Sequence, residues 1–131
     1  MFHILVIDDD PIQHKLTERV LNTHGISSGY SFYQSPINAL LDITEAFFVS
    51  QSLPDLILID RDMPEMTGWQ FVDAFCEAFS SNAKIKTSIY MISSSLEESD
   101  WISLEKYSCL KGLFPKPISI KIFSEIMEQV I

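Results

Sequence analysis

This chain is built around short, continuous apolar runs, each of which ends abruptly in a polar residue. Apolar runs that do not alternate with polar residues are typical of parallel strands covered by helices on both faces. We therefore expect a parallel sheet whose strands end at one polar edge. The clear runs are residues 4–7, 56–59, 88–92 and 112–114, and residues 26–32 form a weaker fifth candidate.

Helical patterns lie between these runs. Residues 11–23 and 36–49 each open with a proline that suits the first position of a helix, and their apolar residues recur at the helical period. Residues 68–79 and 118–131 have the same period, and residues 99–107 predict a short helix. Strand and helix therefore alternate five times, which predicts an α/β fold with a doubly wound, five-stranded parallel sheet and right-handed crossovers.

Length and charge narrow the class of protein further. A chain of 131 residues predicts one domain spanning residues 1–131. With 18 acidic and 9 basic side chains the net charge is −9, which argues against direct nucleic-acid binding.

The cysteines and the first apolar run indicate in which cellular compartment the protein resides. Cys76 and Cys109 match no metal-binding or CxxC spacing, so we expect separate, small apolar residues in a reducing compartment, with Cys76 buried. The apolar stretch at residues 2–7 is too short for a signal segment or a membrane span. We therefore expect a cytoplasmic protein that does not contact a membrane.

Carboxylates follow two of the predicted strands. Asp8, Asp9 and Asp10 come directly after the first run, and Asp60 ends the run at 56–59. In open α/β sheets ligands bind beyond the carboxyl ends of the strands, so these groups should share one edge. Two carboxylates about 4 Å apart repel by roughly 4 kcal/mol at an effective dielectric constant of 20, which a divalent cation or a proton must relieve. Oxygen ligands alone favour Mg²⁺ or Mn²⁺. The alternative for this acidic run is a helix N-cap before Pro11, and for Asp10 alone the N-cap is the better explanation.

The later strands add a hydroxyl and an amine to the same edge. Ser93 follows the run at 88–92, and Lys116 follows the run at 112–114. A carboxylate nucleophile, a metal, a hydroxyl donor and a lysine are the groups that phosphoryl transfer to an aspartate requires. We therefore interpret Asp60, Ser93 and Lys116 as the reacting groups.

In this order the motifs resemble the response-regulator receiver domains of two-component signalling. The resemblance extends over essentially the whole chain and rests on ILVIDDDP, LILIDRDMPEMTGW, SIYMISSS and GLFPKP. It implies a flavodoxin-like (βα)5 fold with strand order 2-1-3-4-5, like that of the single-domain chemotaxis regulators.

The resemblance also assigns roles to residues. It implies that Asp60 is phosphorylated, that Asp9 with help from Asp8 holds Mg²⁺, and that the backbone carbonyl of Asp62 completes the metal site. Ser93 and Lys116 are expected to contact the phosphoryl group. Family members commonly have a cis peptide bond at the step that corresponds to Lys116-Pro117. Many also have an aromatic switch residue three positions before the lysine, where this chain has Leu113.

The function implied is that of a stand-alone regulator. It would take a phosphoryl group from a sensor histidine kinase or a phosphotransfer protein, and it would catalyse only its own phosphorylation and dephosphorylation. A downstream protein would be bound through the fourth helix, fifth strand and fifth helix, roughly residues 99–107 and 113–131. The alternative is a phosphohydrolase of the haloacid-dehalogenase type that uses Asp60, because Asp60-Arg61-Asp62 resembles the start of that motif. In such enzymes, however, the acid pair comes last.

Overall fold

The computed structural model describes residues 2–50, 52–79 and 86–130. Five strands form one parallel sheet in the order β2-β1-β3-β4-β5, which confirms the predicted topology. The strands are β1 (Ile4–Ile7), β2 (Tyr30–Tyr33), β3 (Leu56–Asp60), β4 (Ser88–Ser93) and β5 (Leu110–Pro115).

Five helices connect and cover the strands. All residues of β1 and β3 are buried, as expected of apolar runs with helices on both faces. The helices are α1 (Pro11–Thr23), α2 (Pro36–Ser50), α3 (Gly68–Phe79), α4 (Glu98–Leu104) and α5 (Ile120–Val130).

Several element boundaries differ from those expected. Strand β2 begins at Tyr30 rather than at residue 26, because Gly29 precedes it with a φ of 83° that interrupts extended backbone. Strand β5 is longer than residues 112–114, since its outer residues pair with β4. Helix α4 ends at Leu104 rather than Tyr107, and α5 begins at Ile120. Residue 131, the predicted end of α5, lies outside the described residues.

The sheet separates two apolar clusters, one on each face. Alternate residues of each strand point to opposite faces, so Leu5 belongs to one cluster and Ile4 to the other. The first cluster holds buried residues of α2 and α3, such as Phe71, and the second holds buried residues of α1 and α5, such as Phe123. Helices α2, α3 and α4 therefore lie on one face of the sheet, and α1 and α5 lie on the other.

The prediction for the cysteines is wrong. Cys76 and Cys109 form a disulfide, with their Cα atoms 6.3 Å apart, and Cys76 is half-buried rather than buried. Their separation of 33 residues suggested two independent thiols, but α3 packs beside the start of β5 and brings the two side chains together. Among the described residues, no helix is both long and apolar enough to cross a membrane.

Candidate functional site

Three carboxylates meet at the carboxyl ends of the neighbouring strands β1 and β3. Asp8, Asp9 and Asp60 each offer an oxygen, and these oxygens all lie within 4.8 Å of one another. Asp8 and Asp60 are buried, with 1% and 3% of their surface exposed, whereas Asp9 faces solvent. Strand order 2-1-3 places this cluster at the switch point of the sheet, where ligands bind in such folds.

Lys116 places a positive charge against two of these carboxylates. Its Nζ lies 2.7 Å from Asp8 Oδ2 and 3.1 Å from Asp60 Oδ1. The backbone sets this position, because the amide of Lys116 donates to the carbonyl of Ser93 at 3.0 Å. The following bond, Lys116-Pro117, is cis, as the resemblance to receiver domains implied.

The surroundings of Asp60 oppose its ionisation. Burial raises the pKa of Asp60 to about 6, and the negative charge of Asp8 acts in the same direction. Lys116 and the Asp62 amide, which donates to Asp60 at 3.2 Å, only partly offset this. For Lys116 burial favours the neutral amine, but the charges of Asp8 and Asp60 outweigh that effect and raise the pKa of the ammonium.

The site fits a divalent cation that prefers oxygen. Asp8 Oδ2 is buried and lies 2.7 Å from Lys116 Nζ, a distance typical of a charge-assisted hydrogen bond. Its other oxygen accepts from the Asp10 amide at 2.9 Å. Three carboxylates whose oxygens lie within 4.8 Å of one another form an all-oxygen donor set of the kind that Mg²⁺ takes in proteins. Asp8, Asp9 and Asp60 are the residues that would hold the ion.

Ser93 ends β4 at the same edge and is 1% exposed. Its hydroxyl oxygen accepts the Ser95 amide at 3.1 Å and lies 3.5 Å from Asp62 Oδ2. The structure thus brings Asp8, Asp9, Asp60, Ser93 and Lys116 to one edge, as expected from strand order.

The side chain of Asp62 does not join the acidic cluster. It is 61% exposed and pairs with Arg61, with Arg61 Nη2 at 3.0 Å from Asp62 Oδ2. The proposed metal contact involves the backbone carbonyl of Asp62 and stays a prediction. Asp10 caps α1, because its carboxylate accepts from the Ile12 amide at 2.9 Å.

Sequence reasoning missed the contacts of Arg61. Its guanidinium pairs with Asp100 in α4 at 2.5 Å and also contacts Ser95. The only sequence signal was an arginine next to Asp60, the candidate phosphoacceptor. The partner of that arginine, 39 residues away, could not be identified without the packing of α4.

Comparison with solved structures places the fold among receiver proteins. A two-component response regulator from Cytophaga hutchinsonii is 25% identical with a TM-score of 0.88, and the alignment covers 99% of this chain and 96% of that one. Vibrio cholerae chemotaxis protein CheY4 is 21% identical with a TM-score of 0.78, covering 100% and 99%. CheY in a CheX-CheY-BeF₃-Mg²⁺ complex from Borrelia burgdorferi is 19% identical with a TM-score of 0.78, covering 99% and 90%.

The fold and the site define a flavodoxin-like α/β protein with an acidic, lysine-bearing site at the switch point of its sheet. Residues 4–128 match the family model of the response regulator receiver domain. The chain therefore belongs to the response regulator receiver domain family. No protein with a curated description has a significantly similar sequence.

Proposed function

We propose that this receiver domain accepts a phosphoryl group on Asp60 in a Mg²⁺-dependent reaction and thereby changes its affinity for a partner. The observation that carries the proposal is the position of Asp60. Its buried carboxylate lies 3.1 Å from Lys116 Nζ and within 4.8 Å of ligand oxygens of Asp8 and Asp9. The phosphoacceptor role is general for the family to which the chain belongs.

The reaction follows from the groups at the site. An Asp60 oxygen attacks phosphorus, and the bond between phosphorus and the leaving group breaks. With acetyl phosphate, the electron pair of that bond leaves with acetate. With a phosphohistidine, the electron pair leaves with the imidazole nitrogen, and the imidazole takes up a proton. Asp60 must be ionised to attack, so a pKa near 6 permits reaction at neutral pH. Lys116 offsets the charge on the transferred phosphoryl oxygens, and Ser93 supplies a hydroxyl donor. A bound Mg²⁺ ion would add positive charge against the same oxygens.

The donor is proposed to be a sensor histidine kinase or a phosphotransfer protein, as in the family. The surface of α4, β5 and α5 is proposed to bind the downstream protein. Trp101 and Ile102 on α4 are 49% and 54% exposed, and Ile120 on α5 is 47% exposed, so this surface offers apolar area to a partner. Action as a stand-alone domain over residues 1–131 and a cytoplasmic location stay predictions.

Labelling with radioactive acetyl phosphate tests the proposal. We expect one acid-stable, base-labile phosphoryl group per chain when Mg²⁺ or Mn²⁺ is present, and none in excess EDTA. Asp60→Asn should abolish labelling because an amide is not a nucleophile. The matched control is Asp55→Asn, which changes the aspartate that directly precedes the first residue of β3. This variant should be labelled like wild type.

Two results would contradict the proposal. Labelling of Asp60→Asn at the wild-type level would remove Asp60 as the acceptor, and full labelling in EDTA would remove the metal requirement. Sustained turnover of p-nitrophenyl phosphate would instead support the phosphohydrolase alternative, which the family match disfavours.

A further inference from the structure

Arg61, the residue after Asp60, makes an unusually large number of polar contacts. Its side chain is 13% exposed, and its guanidinium donates five hydrogen bonds to three residues. Two reach the Asp62 carboxylate, at 3.1 and 3.0 Å. Two more reach the Ser95 carbonyl and hydroxyl, at 2.9 and 2.8 Å. The fifth reaches Asp100 at 2.5 Å.

Asp100 anchors the buried side of this cluster. Its side chain is 6% exposed and also accepts the Glu97 amide at 2.8 Å and the Trp69 indole N–H at 3.0 Å. Both carboxylate oxygens are therefore occupied, and the carboxylate is fixed in the first turn of α4. Because planar arginine binds several acceptors in a fixed geometry, Asp100 orients the rest of the Arg61 guanidinium toward Asp62.

The opposite side of the cluster borders the site. Asp62 Oδ2, which pairs with Arg61, is also 3.5 Å from Ser93 Oγ. The Ser93 hydroxyl is one of the groups proposed to meet the phosphoryl group. The Asp62 carboxylate, which is 61% exposed, thus lies beside Ser93, and Arg61 is the cation that pairs with it.

An additional negative charge beside Ser93 matters because the site is already acidic. Asp8, Asp9 and Asp60 carry negative charge, and Lys116 is paired with two of them. A phosphoryl donor is itself an anion. A fourth carboxylate without a cation would repel the donor, whereas it would attract a divalent cation.

We propose that Arg61 is a positioning residue that holds and neutralises the Asp62 carboxylate beside Ser93, so that an anionic phosphoryl donor can approach Asp60. This inference rests on the proposed phosphorylation of Asp60. It predicts opposite effects on two ligands: loss of Arg61 slows phosphoryl transfer and tightens Mg²⁺ binding. General damage to the site would weaken both.

The experiment compares initial labelling rates with acetyl phosphate at saturating Mg²⁺. We expect Arg61→Gln to label about tenfold more slowly than wild type at low ionic strength. The deficit should shrink in about 0.5 M KCl, because salt screens an exposed carboxylate. Arg19→Gln removes the same charge from the exposed face of α1 and should label at the wild-type rate.

A double-mutant cycle tests whether Asp62 carries the effect. Asp62→Asn, which keeps the backbone carbonyl, should raise the rate several-fold more in the Arg61→Gln background than in wild type. Isothermal titration calorimetry without phosphoryl donor should give a Mg²⁺ dissociation constant about threefold lower for Arg61→Gln. Asp100→Asn should slow labelling less than Arg61→Gln does, because Arg61 keeps its contacts with Asp62.

The outcomes separate this inference from the function on which it rests. If wild type is not labelled, both the proposed function and this inference fail. If wild type is labelled on Asp60, three results would refute only the role of Arg61. Arg61→Gln could be labelled at the wild-type rate, or it could bind Mg²⁺ more weakly than wild type. Alternatively, Asp62→Asn could raise the labelling rate no more in the Arg61→Gln background than in wild type. If Arg61→Gln does not fold because Asp100 is left unpaired, the variant carrying both Arg61→Gln and Asp100→Asn takes its place in every comparison.

Discussion

The burial of Asp60 opposes its ionisation and therefore links the stability of the fold to pH. Its folded-state pKa of about 6 lies above the ordinary value of 3.8, so the folded protein binds the proton more tightly than the unfolded chain does. Stability from this group is therefore greatest at low pH and is lost as the pH rises from about 4 to about 6. Above that range the ionised carboxylate costs on the order of 3 kcal/mol of unfolding free energy.

Asp60→Asn should accordingly stabilise the metal-free protein. In EDTA at pH 7.5 we expect its unfolding free energy to exceed that of wild type by on the order of 3 kcal/mol, with the difference vanishing below about pH 4. Saturating Mg²⁺ should narrow the gap, because the ion binds folded wild type. Urea titrations at several pH values measure this. Asp9→Asn, which changes an exposed carboxylate of the cluster, should stabilise less, and an equal gain would contradict the burial argument.

Lys116 is expected to matter more for the phosphoryl group than for the metal. Lys116→Ala removes the cation that lies 2.7 Å from Asp8 and 3.1 Å from Asp60. Labelling should fall by roughly 100-fold, since a fixed positive charge facing the transferred group is lost. Mg²⁺ affinity should hold or rise, because the carboxylates lose a competing cation. A comparable loss of labelling and of Mg²⁺ affinity would mean that the lysine mainly maintains the fold.

At the scale of elements, α3 begins unusually close to the end of β3. A Cβ atom on Gly68 would lie 2.7 Å from the Asp60 carbonyl oxygen and 2.9 Å from the Arg61 Cα. The Gly68 amide also donates to the Arg61 carbonyl at 2.8 Å. Only glycine permits this approach, which closes the loop that carries Asp60, Arg61 and Asp62.

Gly68→Ala should therefore disturb both stability and the site. We expect a loss of about 1–3 kcal/mol in unfolding free energy, because backbone atoms must move to admit the methyl group. Labelling of Asp60 should slow as well. Gly112→Ala is the matched control: its Cβ would meet the Tyr90 ring at 3.3 Å, and it should leave labelling closer to wild type. Chemical denaturation and acetyl phosphate labelling together check the pair.

At the scale of the whole molecule, the question is how a change at Asp60 reaches the surface formed by α4, β5 and α5. Ser93 is held by the Ser95 amide, so movement of its hydroxyl toward a phosphoryl group would displace the loop before α4. Such a movement shifts a two-state equilibrium and does not require a new fold. Leu113 is buried in the first apolar cluster and has no ring to expose. We therefore expect coupling to run through residues 94–99.

Two variants distinguish the loop from the core. Ser93→Ala should reduce the difference in partner binding between the beryllofluoride-loaded and free protein, measured by pull-down. Leu113→Ala should instead lower the unfolding free energy by about 2–5 kcal/mol and keep that difference. If Leu113→Ala abolishes discrimination while the protein stays folded and is labelled on Asp60, then Leu113 is itself the switch.

The sequence was sufficient for the architecture and for the main groups of the site. Continuous apolar runs predicted parallel strands, and parallel strands bring their carboxyl ends to one edge, so Asp8, Asp60, Ser93 and Lys116 could be placed together from chain order alone. The boundaries of β2 and α4 were less accurate because turn geometry and pairing with neighbours set them.

Only the tertiary structure decided the contacts between side chains that are distant in the chain and have no repeating pattern. The Arg61–Asp100 ion pair and the Cys76–Cys109 disulfide depend on how α4 and α3 pack against the sheet. A strand or a helix repeats its signal over several residues, and those repeats reinforce one another. A single pair of side chains leaves no such repeat, so its existence depends on packing distances that one sequence does not contain.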